Sequence, residues 1–155
     1  MDLKGASAVI TGGASGIGEA SARNLASLGA LCVIVDLQDE KGQEVASELG
    51  GLYVKADVAD EEQVQAAMNA AMEMGPLRAL VNGAGIGSAS RTVDRNGDPM
   101  PLAQFEFVIR VNLIGTFNCI RLGAASMAKT DPIDGDGQRG AIVNMASVAA
   151  FDGQT

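Results

Sequence analysis

Thr11-Gly12-Gly13-Ala14-Ser15-Gly16-Ile17-Gly18 decides how the rest of the chain is read. It follows a short run of apolar and small residues, 6–11, that reads as a strand. It opens a helical pattern reaching about Leu28, with Ile17, Ala20, Leu25 and Leu28 predicted on one side. The spacing is T-G-x-x-x-G-x-G and not G-x-G-x-x-G, but the physical demands are alike. Gly12 permits a turn that a Cβ would block. Gly16 lets the backbone approach a diphosphate, and Gly18 lets the helix pack close to the sheet. The helix then points its unpaired N–H groups at the anion. A strand, a glycine turn and a helix in this order predict a dinucleotide site that uses Gly12, Ser15, Gly16, Ile17 and Gly18.

The next apolar run, 31–35, ends at Asp36. A carboxylate at the end of a second strand accepts hydrogen bonds from the adenosine ribose hydroxyls and repels a 2′-phosphate. Neither Leu37 and Gln38 beside it nor Ala14 and Ser15 in the turn carry positive charge, so NAD is favoured over NADP. Further on, short β-rich runs alternate with longer helical patterns. A helix is expected over 40–49, closed by Gly50-Gly51, and a third strand over 52–56. Asp60 reads as an N-cap, with Glu61 and Glu62 in the first turn where negative charge suits the helix dipole. Val64, Ala67, Met68, Ala71 and Met72 form the apolar stripe of that helix. A fourth strand is expected over 77–81, a long helix over 102–128 and a fifth strand over 141–146. Polar insertions at 88–99 and 131–138 separate these elements.

Apolar strands joined by helices imply a parallel sheet covered on both faces. The expected fold is therefore α/β: a Rossmann-type, doubly wound parallel sheet in strand order 3-2-1-4-5. Its ligand would lie where the winding reverses, at the ends of strands 1 and 4.

Composition narrows the function classes. Hydrophobic residues make up 47% of the chain and charged residues 19%, a globular balance. The net charge of −8 argues against nucleic acid, whose phosphates need a basic face. No uninterrupted apolar run approaches the roughly 20 residues that cross a bilayer, so no membrane partner is expected. No leader pattern precedes the first strand, and a cytoplasmic address is the expectation. With no His and two isolated cysteines, Cys32 and Cys119, no metal site is expected. The two thiols should be buried and reduced.

These motifs together resemble the short-chain dehydrogenase/reductase family across the whole chain. The resemblance assigns residues 11–18 to the family's glycine motif. It implies that Asp57 reaches the adenine amine, with the Val58 backbone beside it. Asn82-Gly83-Ala84-Gly85 resembles the family's N-N-A-G motif, with Gly83 in place of the second Asn. It implies support of the central sheet and contact with the adenosine half of the cofactor. Asn112 matches the Asn of the family's proton relay. On a stripe with Val108, Gly115, Cys119 and Leu122, it should face the sheet as a buried, partnered amide. Ser147 matches the catalytic Ser, whose hydroxyl bonds the substrate's reacting oxygen.

A narrower likeness is carried by residues 8–16, the insertion near 88–101, and the runs 115–122, 137–140 and 146–154. These look like the type-2 3-hydroxyacyl-CoA dehydrogenases. That group oxidises the 3-hydroxyl of an acyl-CoA with NAD, in some cases also acts on hydroxysteroids, and forms homotetramers. The alternatives are a hydroxysteroid or other secondary-alcohol dehydrogenase of the same family, and a non-catalytic NAD-binding module.

One part of the family pattern has no match. The family's Tyr-x-x-x-Lys pair follows the Ser, whereas the only tyrosine here is Tyr53, with Asp57 at the fourth position after it. The fifth strand, Ala141-Ile142-Val143-Asn144-Met145-Ala146, would also be an edge without the charge or proline that protects natural edges. Residues 1–155 are therefore expected to be one Rossmann domain, incomplete at its C-terminal end.

Overall fold

A computed structural model gives the structure of residues 1–87 and 90–148. The elements run in the order β1 (Ser7–Thr11), α1 (Gly16–Ser27), β2 (Leu31–Asp36), α2 (Asp39–Glu48), β3 (Leu52–Lys55), α3 (Glu61–Met74) and β4 (Leu77–Asn82). Then follow α4 (Leu102–Ile109), a π-helical turn (Arg110–Gly115), α5 (Thr116–Ala128) and β5 (Ala141–Asn144). All four strand pairings are parallel and the sheet order is β3-β2-β1-β4-β5, as the sequence predicts.

Alternation along the strands builds two cores. On one face Val9, Val33, Val35 and Leu80 meet Val64, Ala67, Met68 and Ala71 of α3 and Cys119, Leu122 and Met127 of α5. On the other, Ala8, Ile10, Ile34 and Val81 meet Ala22 of α1 and Val45 and Ala46 of α2. The central strands β1 and β4 are buried along their whole length. The outer strands β3 and β5 are largely open, and Val143 on β5 is 50% exposed. The apolar edge expected at β5 is present. At α3 the N-cap also holds, since Asp60 Oδ1 accepts the Gln63 N–H at 3.0 Å.

Two expectations need correction. The sheet-facing side of α1 is Gly18, Ala22 and, partly, Leu25 and Ala26; Ile17, Ala20 and Leu28 face outward. Close contact between Gly18 and the turn sets the helix's rotation, and that outweighs the apolar periodicity. Asn112 is exposed, not buried. The π-helical turn adds a residue to one coil of the helix, so the stripe that packs inward from Gly115 does not continue back through Asn112. The continuous helix 102–128, though its apolar run is interrupted by Glu106, Arg110 and Arg121, is long and apolar enough to cross a membrane by length and composition alone. Its C-terminal half lies against α3 and β4, with Cys119, Leu122 and Met127 in the core.

The cysteines belong to different cores, Cys32 with the α1–α2 side and Cys119 with the α3–α5 side, and both are free thiols. Burial pushes Cys32 up to about 11 and Cys119 up to about 12. Both groups favour the folded state only while neutral. An unfolded chain ionises them near pH 8.5. Their contribution is therefore complete below that pH and is lost as pH climbs towards the folded values. The urea midpoint should hold steady from pH 7 to about 8.5 and then fall, and Cys119→Ala should flatten that decline. An identical alkaline slope in the variant would show that the thiol is not responsible.

Candidate functional site

Parallel strands deliver their C-terminal ends to one edge of the sheet, and the predicted site residues follow those ends. Gly12 and Gly16 take φ values of +65° and +56°, a region that residues with a side chain rarely occupy. A Cβ on Gly12 would lie 2.7 Å from Ala84 N and from Gly83 C and O, so the glycine also admits the loop after β4. That loop is sewn to β1. The Gly83 N–H donates to Thr11 O at 3.1 Å, and the Ala84 N–H donates to Thr11 Oγ1 at 3.2 Å. Thr11 is thus a second anchor that the glycine pattern alone did not reveal. Gly85 follows, where a Cβ would meet only Asn112 Oδ1, at 3.4 Å.

The glycine turn leaves a cradle over the start of α1. Ser15, Gly16 and Ile17 are exposed, and a Cβ on Gly16 would meet nothing within 4 Å. Ser15 is the N-cap but makes no side-chain capping bond, which leaves the first N–H groups of the helix directed at that space. An anionic diphosphate fits this open, donor-lined end.

Asp36 spans the gap between β2 and the turn. Its Oδ2 accepts the Ala14 N–H at 3.1 Å, while Oδ1 accepts the N–H groups of Leu37 at 2.8 Å and Gln38 at 3.1 Å. The carboxylate therefore shapes the turn and the entry to α2. A carboxylate has about four lone-pair directions, so it keeps acceptor capacity for a ligand hydroxyl. Leu37 is 59% exposed beside it.

Asp57 and Val58 are held by separate contacts. Asp57 Oδ1 accepts the Ala59 N–H at 2.9 Å, and its Oδ2 lies 3.9 Å from Arg110 Nη2. The Val58 side chain is buried against Gly115, where a Cβ would come within 2.5 Å of Val58 Cγ2. The Val58 carbonyl accepts from Asn118 Nδ2 at 2.9 Å, and Asn118 also donates to Asp60 O at 3.3 Å. Asn118 is the clearest residue that sequence reading missed. The one available signal was an amide on the apolar side of the long helix, which cannot be told from an ordinary polar position before the loop above it is placed.

Asn82, at the end of β4, donates through Nδ2 to Asn144 Oδ1 on β5 at 2.8 Å. Its own Oδ1 is buried without a partner among the described residues. Asn112 clasps the loop after β4 in both directions. Its Oδ1 accepts the Ile86 N–H at 2.9 Å and its Nδ2 donates to Ile86 O at 2.8 Å. The amide is thus satisfied although it is not buried, and the π-helical turn presents it. Ser147 lies three residues beyond β5 at the same edge and is exposed. The fold therefore gathers the glycine turn, Asp36, residues 82–86 and Asn112 through direct contacts. Ser147 arrives by strand order. The runs 88–89 and 149–154 of the narrower likeness lie outside the described residues.

Comparison with known proteins agrees with this fold. A family model described as short chain dehydrogenase matches residues 6–155. The 3-hydroxyacyl-CoA dehydrogenase type-2 of Drosophila melanogaster is 47% identical over 98% of this chain and 61% of its own length. The protein of that name in Homo sapiens is 47% identical over 98% of this chain and 59% of its own. The crystal structure of 3-hydroxyacyl-CoA dehydrogenase type-2 from Mycobacterium avium superposes with a TM-score of 0.92 at 44% identity. It covers 97% of this chain and 60% of that one. The chain thus spans about three-fifths of the length of these relatives. A glycine cradle, a carboxylate at the end of β2 and a family match running from β1 through β5 lead to one conclusion: this chain belongs to the short-chain dehydrogenase family.

Proposed function

We propose that this chain forms the NAD-binding part of a dehydrogenase that oxidises the 3-hydroxyl of an acyl-CoA to a ketone. The observation that carries NAD over NADP is Asp36, a carboxylate at the end of β2 that accepts from Ala14, Leu37 and Gln38 and pairs with no cation among the described residues. When bound, NAD supplies the hydride acceptor. The chain's own residues supply its seat. The N–H groups at the start of α1 hold the diphosphate, Asp36 accepts from the ribose hydroxyls, and Asp57, Val58 and residues 82–85 line the adenosine side. Asn112 holds the Ile86 loop in place. The Ser147 hydroxyl bonds the reacting oxygen of the substrate.

The remaining step, removal of the alcohol proton, is not assigned to Tyr53. That residue lies on β3, at the edge of the sheet opposite β5, with its hydroxyl engaged by Asp36 and Asp39. Names of relatives support the acyl-CoA substrate. Exposed apolar side chains along the long helix, Leu102, Phe105, Phe107, Leu113, Ile114 and Phe117, each more than half exposed, support assembly into a homo-oligomer.

The test is NADH oxidation by the intact protein with acetoacetyl-CoA, set against a steroid ketone. Turnover of the CoA ester is expected. Turnover of the steroid alone would replace the substrate. Tight NAD binding with no turnover of either would leave a binding module.

A further inference from the structure

Tyr53 is the only tyrosine in the sequence, and a place is made for its ring. A Cβ on Gly42, in the middle of α2, would lie 2.2 Å from Tyr53 Cε2 and 2.4 Å from Cδ2. A glycine inside a helix is unfavourable relative to alanine. Here its missing side chain lets the ring pack close against the helix, so that the phenol reaches the end of β2. The hydroxyl is 3.0 Å from the Asp36 backbone carbonyl and 3.0 Å from Asp39 Oδ1, and its single proton is shared between the two acceptors. Burial, and then the bond to Asp39, push the phenol up to about 12, so it remains a donor throughout the neutral range. Lys55, two residues further along the same strand, holds the other oxygen of Asp39 at 2.5 Å. That contact first, and the Tyr53 bond second, keep the Asp39 carboxyl below the usual carboxylate range. The phenol thus ties both ends of the short linker 36–39, whose first residue reaches across to the Ala14 N–H.

We propose that Tyr53 is a positioning residue for cofactor choice: its hydroxyl fixes the Asp36 backbone and so aims the carboxylate that accepts the ribose hydroxyls and repels a 2′-phosphate. This inference rests on the role given to Asp36 above. Gly42 makes it possible by seating the ring.

Calorimetric Kd values for NAD and NADP, measured on the intact protein, test it. Tyr53→Phe keeps the ring and deletes the two bonds. It should weaken NAD about three- to tenfold while leaving NADP unchanged or tighter, so the preference for NAD falls. Gly42→Ala, which displaces the ring, should lower the same preference. A merely structural hydroxyl would move both affinities together. An unchanged NAD-to-NADP ratio in either variant therefore overturns the proposal. A wild-type protein that binds the two cofactors equally would overturn the Asp36 reading itself, and this inference with it.

Discussion

Asp36→Ala is expected to weaken NAD binding about 100-fold and NADP binding much less. Hydrogen bonds to a charged acceptor contribute about 1.5–3 kcal/mol each, and the ribose offers two hydroxyls, so a loss near 3 kcal/mol is reasonable. The variant also removes the acceptor for Ala14, Leu37 and Gln38 N–H groups, which loosens the turn for either cofactor. The difference between the cofactors comes from the 2′-phosphate. A carboxylate at this position repels it, and removing that charge offsets part of what the loosened turn loses. Equal losses for NAD and NADP in a titration would mean that Asp36 serves the turn only and does not touch the ribose.

Gly18→Ala is expected to damage the site more broadly. In most helices this change stabilises, by about 1 kcal/mol, because alanine is the better helix former. Here the new Cβ would lie 2.1 Å from Gly12 O, 2.7 Å from Gly12 C and 3.2 Å from Gly13 Cα. All three are backbone atoms of the turn, so no side chain can swing aside. The helix must move away from the turn, or the turn must open. Forcing atoms into a packed site costs about 1–3 kcal/mol, which corresponds to a Tm lower by about 2–12 °C in a chain of this size. Because the same movement displaces the N–H groups that face the diphosphate, NAD affinity should fall at least about tenfold. Thermal unfolding with and without NAD reads both effects. A variant with an unchanged or higher Tm would show that α1 and the turn are not in the contact described.

Much of the fold was legible because its signals are local. The glycine turn, Asp36 after an apolar run and the Asp60 cap each depend on residues within a few positions of one another, and all three are found where expected. The strand order follows from apolar strands separated by helices. The failures have a common cause. Ile17 and Leu28 fit an apolar stripe on α1, but Gly18 meets Gly12 across the turn, and this close contact sets the helix's rotation. Asn112 fits a straight stripe on the long helix, but one π-helical turn breaks the period that such a reading assumes. Asn118, Thr11 and Tyr53 were missed as supports of the site because each one reaches a backbone atom remote in sequence: Val58 O, the Ala84 N–H and Asp36 O.

From the sequence alone came the class of fold, the end of the sheet at which a ligand would sit and the sign of the charge at the end of β2. These depend on periodicity, on glycine's freedom and on the identity of a single acid. The tertiary structure decided how the loops after β1 and β4 are stitched together, which face of each helix turns inward and what holds Asp36 in place. Those choices follow from close backbone approach and from hydrogen bonds between segments remote in sequence. Neither exists until the chain has folded.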